Sequence, residues 1–248
     1  MSASYDQWLE FVFANPVRGR EWYWDEDFDF RWAALELNDS LIVRYLTRLF
    51  LHPEALSSYS LDQVEQGLWF LIGESSPGSS SQALLRRETV LSERVACIHA
   101  ISNFFRSFVL AVTDRDYDPN ENRTENAVKC VCYMWWDIFP LHHYTHRHAP
   151  VDPALPAKLK TLLNARRAEV RKVEIEAEIY EATLKVMTEV LDLPSELCQF
   201  SALHGLGHWH DRFPERIEQI VEAFVARNKN LGPHVIEYAS NARLGRVL

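Results

Sequence analysis

Glycine is scarce in this chain, and none of it stands where a phosphate-binding loop needs it. The eight glycines among 248 residues are few and isolated. Gly205-x-Gly207 comes nearest to a pair, but it lies in helix-patterned sequence, so it reads as close helix packing. Cysteine is sparse as well. Cys97, Cys130, Cys132 and Cys198 sit inside hydrophobic helical patterns, away from the loop-rich framework of a secreted disulfide scaffold, which points to reduced, buried thiols and a cytoplasmic chain. Cys130 and Cys132 are two residues apart and would point to nearly opposite sides of a helix, a poor pair for an ion or a disulfide. Excess positive charge is missing too. Lys and Arg number 26 against 35 Asp and Glu, a formal charge of −9. That balance disfavours nucleic acid and anionic membrane as partners and suits a protein partner of basic character. No basic patch interleaved with aromatics offsets it. The opening MSASYDQWLEFVF has no basic region and no long apolar run, so no signal peptide is expected. The apolar stretches are interrupted within a few residues, which predicts no membrane span.

What the chain has in quantity is helical periodicity. The clearest stretch runs from Ser195 to Asn230. Ser195 is placed to cap a helix in which Ala202 and Gly205 allow a neighbouring backbone to approach closely. Pro214 suits the first turn of a second helix, whose apolar stripe is Ile217, Ile220, Val221, Phe224 and Val225. Upstream, helices are predicted over Tyr5–Phe13, from Phe30 to Leu49 with a split near Asn38-Asp39-Ser40, from Ser60 with Gln63 completing a capping box, and over Gln82–Val112 with a break near Leu91–Glu93. Further helices are predicted over Glu125–Asp137, Leu159–Leu191 and the tail from His234. The low-complexity run 74–81 and the proline-rich run 142–156 read as loops.

A hexapeptide joint recurs. Trp135-Trp136-Asp137-Ile138-Phe139-Pro140 matches Trp209-His210-Asp211-Arg212-Phe213-Pro214 at Trp, Asp, Phe and Pro. Each follows about three turns of helical pattern, and each reads as a helix ending on a buried Trp whose Asp satisfies turn amides. With the Ala-Leu-His-Gly-Leu-Gly segment 202–207 and its Pro-started second helix, this resembles the HEAT-like class of helical repeats. The resemblance covers about one repeat well and half of the chain loosely, and the stretch from Pro140 to Ser195 departs from it. It implies an all-α fold, a right-handed stack of antiparallel helix pairs with irregular repeats, and binding of another macromolecule. It carries over no catalytic residue. The expectation is therefore a single all-helical domain over 1–248, with 1–29 as an N-terminal extension.

Ten histidines are the main candidates for chemistry. His204 and His208, four apart on a predicted helix, would project from one face, a spacing that can chelate zinc or a similar divalent ion. The zinc-protease pattern is absent, since no Glu follows His204. A polar seam between helices is the competing reading. The metal reading gains if both histidines face a cavity with His99 or a carboxylate. His142, His143, His146 and His148 form a second cluster, open to an ion, to charging at mildly acid pH or to a partner. Asp114-x-Asp116-x-Asp118 lacks the turn glycine and the closing Glu of a calcium loop and reads as a solvated turn. The segment around Trp22, Trp24, Asp25, Glu26 and Asp27 has two readings: an acidic-aromatic edge that anchors a basic partner, or aromatics that plug the open end of the helical stack. No catalytic triad or cofactor motif is found. The leading expectation is a non-enzymatic protein-interaction module; the alternative is a metal- or small-molecule-dependent helical enzyme using the histidines.

Overall fold

The computed structural model describes residues 2–73, 80–112, 127–141, 156–161 and 175–247, and every regular element among them is helical. The chain is all-α. Helix α1 (Tyr5–Phe13) is opened by a capping box between Ser4 and Gln7, and Asn38 caps α3 (Asp39–Leu51) after the short α2 (Phe28–Ala33). The Ser60–Gln63 box expected from the sequence starts α4 (Leu61–Ile72). Ser80 and Ser81, expected in a solvated loop, are buried in a 3-10 turn, where Ser81 Oγ donates to the Ile72 carbonyl.

Helix α5 (Leu91–Phe104) runs through a π turn at Phe105–Val109 into α6 (Leu110–Val112). The break expected near Leu91–Glu93 falls earlier, over 86–90, where Arg86 and Thr89 close turns. Leu91–Val112 is thus one run of 22 residues containing an 18-residue window of mean hydropathy 1.6, long and apolar enough by length and composition to cross a membrane, where the sequence reading expected none. It packs on α3, and Arg94 within it is buried.

That arginine explains the largest departure from the expected helices. Arg94 donates from both terminal nitrogens to the Glu176 carboxylate, at 2.7 and 3.1 Å, and its Nε donates to the Thr89 carbonyl. A buried guanidinium needs these partners, because an unpaired buried charge costs several kcal/mol. Glu176 meets it by standing in extended backbone. Of the helix read over Leu159–Leu191, residues 159–161 are helical, 162–174 lie outside the described residues, and the chain is non-helical at 175–176 before α9 (Ala177–Leu191) begins.

Further helices are α7 (Ala127–Tyr133), α8 (Trp135–Ile138), α10 (Glu196–Trp209), α11 (Pro214–Arg227) and α12 (Pro233–Ala242). Ser195 caps α10 through the Cys198 amide, and Pro214 opens α11, both as the sequence indicates. Helix α10 touches α7, α8, α9, α11 and α12, so it is buried around almost its whole circumference. A helix with no solvent face needs small residues where neighbours come closest. A Cβ on Gly205 would sit 2.9 Å from Met187 Sδ and closer still to Trp136, so glycine is what lets α8 and α9 reach α10.

Candidate metal centre

The joint after α7 sets the first part of the site. Trp135 and Trp136 are fully buried in an aromatic layer formed by Phe50, Phe104 and Phe105, with ring centroids of Phe104 and Phe105 5.5 and 5.3 Å from Trp135. The π turn beginning at Phe105 keeps Phe105, Phe108 and Val109 buried together. Anchored by these two indoles, the four-residue α8 presents the next side chain, Asp137, toward α10.

On α10, His204 and His208 are one turn apart, as their spacing requires. His204 is buried, while the side chains of His208 and Asp137 keep 15% and 25% exposure. His208 Nε2 lies 3.2 Å from His204 Nε2 and 3.4 Å from Asp137 Oδ1. Potential ligand atoms of the three residues all fall within 4.8 Å of one another. Two imidazole nitrogens bound tetrahedrally to zinc at about 2.05 Å stand about 3.3 Å apart, and a nitrogen and a carboxylate oxygen about 3.4 Å. Two edges of the triangle thus have the dimensions an ion imposes. The edge between Asp137 and His204 closes if the part-exposed carboxylate swings inward.

Behind His204 a second layer is in place. Its Nδ1 is 2.8 Å from Tyr238 Oη on α12 and 3.1 Å from Tyr133 Oη on α7, and the two phenol oxygens are 2.8 Å apart. Burial pushes the Tyr133 phenol above its ordinary value, so it keeps its proton at neutral pH. Ser201 Oγ, one turn before His204, donates to the Cys132 carbonyl at 2.6 Å and ties α10 to α7. The layer orients His204 so that Nδ1 faces the tyrosines and Nε2 faces His208 and Asp137. That is the arrangement in which imidazole nitrogens serve metals, with the far nitrogen held by a hydrogen bond.

His204 thus takes part in a polar seam on one edge of its ring and stands beside His208 and Asp137 on the other. Asp137 is what the sequence reading missed. It stood in the recurring Trp-x-Asp-x-Phe-Pro joint and was assigned to turn amides; its nearness to α10 comes from tertiary packing that no spacing encodes. His99 is elsewhere, lining a groove of about 530 Å³ with Glu178, Lys185, Arg216 and Ile220. His142, His143, His146 and His148, and the run Asp114–Asp118, lie outside the described residues.

The acidic-aromatic segment divides. Trp22 is 3% exposed, packed 4.9 Å from Phe70 and 5.2 Å edge-on to Phe11, because an indole among the rings of Phe11, Tyr23, Phe28 and Phe70 is worth more inside than on the surface. It is therefore not a surface anchor. Trp24 is 42% exposed, Glu26 and Asp27 are exposed, and Asp25 is half-buried. Of the four cysteines none is disulfide-bonded; Cys97, Cys132 and Cys198 are buried, and burial pushes the Cys97 thiol up to about 12 and Cys198 to about 11, leaving them core residues. Comparisons with models of protein families, with curated proteins and with solved structures find no match.

Proposed function

We propose that the chain binds a divalent transition-metal ion, of the zinc type, through Asp137, His204 and His208, and uses it for metal-assisted hydrolysis. The observation that supports this is the convergence of His204 Nε2, His208 Nε2 and Asp137 Oδ1 from two helices, backed by a hydrogen bond to the far nitrogen of His204. Two imidazoles and one carboxylate suit zinc and its neighbours better than calcium or magnesium, which favour oxygen alone. Partial exposure of His208 and Asp137 leaves a side from which water can reach the ion. Asp137, His204 and His208 would hold the ion there, and its chemistry would be to lower the pKa of a bound water toward neutrality. The reading needs only the packing of α7, α8, α10 and α12, and holds in a HEAT-like stack of helix pairs as in any other all-helical arrangement.

The test is a panel of chromogenic ester, phosphoester and amide substrates assayed with zinc-loaded protein, chelator-treated protein and a His204→Ala/His208→Ala variant. Hydrolysis present only in the first supports the reading. Equal rates in all three, or none with any substrate class on loaded protein, contradict its catalytic part.

A second reading, a module that binds a basic protein partner, is favoured by one observation: Trp24 and Phe30, the latter 80% exposed, stand among exposed Glu26, Asp27 and Asp29. Aromatics ringed by acids are suited to anchoring a basic surface. Replacing both Trp24 and Phe30 by Ala should remove a captured partner seen with the unaltered chain; an unchanged set of captured proteins counts against it.

A further inference from the structure

Resting on the metal reading, a regulatory role follows for the C-terminal helix. Helix α12 packs on α10 and α11, and just past its end Arg243 pairs with Glu222 of α11 at 2.7 Å. Its fully buried residues are Val235, Ala239 and Ala242, all small, while His234, Ile236, Glu237 and Ser240 face solvent. Burying a valine contributes about 1.5–3 kcal/mol and an alanine less, so polar contacts weigh heavily in the docking of such a helix. The one that reaches the proposed site is Tyr238. Its ring packs edge-on to Phe200 at 5.1 Å, and its hydroxyl reaches His204 Nδ1 and Tyr133 Oη, both at 2.8 Å. One side chain of α12 thus grips the back of a proposed ligand.

The hydrogens in this network can run in two directions. The 3.2 Å approach of the two Nε2 atoms is a hydrogen bond only if one of them carries a proton. When that proton is on His204 Nε2, its Nδ1 is an acceptor and takes a hydrogen from a tyrosine. When an ion takes the Nε2 lone pair, the neutral ring carries its hydrogen on Nδ1 and donates it to a tyrosine oxygen, whose own hydrogen turns elsewhere. The imidazole keeps one hydrogen in both states, so the change is a tautomer exchange with no net proton gained or lost by the ring. The ion strengthens the second arrangement, because a metal-bound imidazole is the better N–H donor.

We infer that Tyr238 and Tyr133 are positioning residues for the ion and that metal loading and the docking of α12 are linked through the His204 Nδ1–Tyr238 hydrogen bond. The linkage is reciprocal: what loosens α12 weakens metal binding, and the ion tightens α12.

The experiment is a cobalt(II) titration of the unaltered chain and of Tyr238→Phe and Tyr133→Phe, followed by visible absorption, with melting of the metal-free proteins as the check on folding. Phenylalanine keeps the ring and removes only the hydroxyl. Tyr238→Phe should weaken cobalt binding by about 10–100-fold, the range for loss of an outer hydrogen bond, and alter the absorption band, while the metal-free variant still melts cooperatively as a folded protein. Unchanged affinity and band in both variants overturn the inference while leaving the metal reading intact. Absence of any cobalt band in the unaltered chain removes the metal reading and this inference together. Amide exchange on the unaltered chain gives a measure that needs no variant. Zinc should slow exchange across 233–242 by about tenfold or more, the signature of ligand-linked local closure; equal exchange with and without zinc overturns the linkage. Nitrogen-15 NMR of His204 should show the hydrogen moving to Nδ1 on loading; an Nε2-protonated His204 in the loaded chain also overturns it.

Discussion

Gly205 shows how a single residue sets the distance between helices. Within a helix, changing glycine to alanine gains about 1 kcal/mol of propensity. Here the added carbon would meet Trp136 and, at 2.9 Å, Met187 Sδ. Trp136 is locked among buried rings, so the neighbour cannot yield cheaply, and overpacking of this kind costs about 1–3 kcal/mol. Gly205→Ala is therefore expected to destabilise the chain, as read by a lower denaturation midpoint with an unchanged slope; a stabilised variant would show that α8 and α10 do not meet this closely. The glycine was legible in the sequence as a close-approach residue, though its partner was not. The same holds at the site. His204 and His208 announce themselves by a four-residue spacing that helix geometry makes meaningful. Asp137 carries no such signal, being 67 and 71 positions away, and its motif has an ordinary structural explanation in the turn it ends. Trp22 and Trp24 have the same neighbours in sequence and opposite fates, because only one of them meets Phe11 and Phe70.

At the scale of elements, the caps and prolines were readable because they act over three or four residues. Ser60 with Gln63, Ser195 and Pro214 start helices where the sequence places them. The start of α9 was not readable, because a residue 82 positions away decides it. Glu176 stays extended to hold Arg94, and the Arg94 guanidinium in turn holds its carboxyl below the usual carboxylate range. A depressed carboxylate contributes stability that is complete above its unfolded value of about 4.3 and is lost as the pH falls through the lower folded value. The unaltered chain should therefore lose stability in this acid window, and Glu176→Gln should remove that part of the dependence. Glu176→Ala is expected to cost more than Arg94→Met. The first strands a buried charge, worth about 3–5 kcal/mol, while the second leaves a carboxylate that water can reach. Equal melting of the two variants, or an identical acid profile for Glu176→Gln and the unaltered chain, would contradict the assignment.

For the whole molecule, α10 is the centre, and its lack of a polar stripe is the sequence trace of being surrounded. In the recurring joint both indoles are fully buried, but only Trp209 ends a helix; Trp135 opens α8, one residue after α7 has ended at Tyr133. The proposed metal site lies where α8 and α12 close on α10. An ion bound there joins elements far apart in sequence, so it should stabilise the fold globally. At a hundredfold excess over its Kd the gain is about 2.7 kcal/mol. For a chain of this size that raises Tm by about 5–11 °C. A zinc-induced shift of this order, abolished in Asp137→Ala, is the expected outcome of differential scanning calorimetry; a shift that survives the substitution would place the ion elsewhere. The most direct measurement is metal content by mass spectrometry on tag-free chain purified without chelator and offered zinc, beside Asp137→Ala and His204→Ala/His208→Ala. The account predicts about one ion per chain in the unaltered protein and none in either variant, each still helical and cooperative in melting. A folded, unaltered chain without an ion, or an ion retained in both variants, would contradict it.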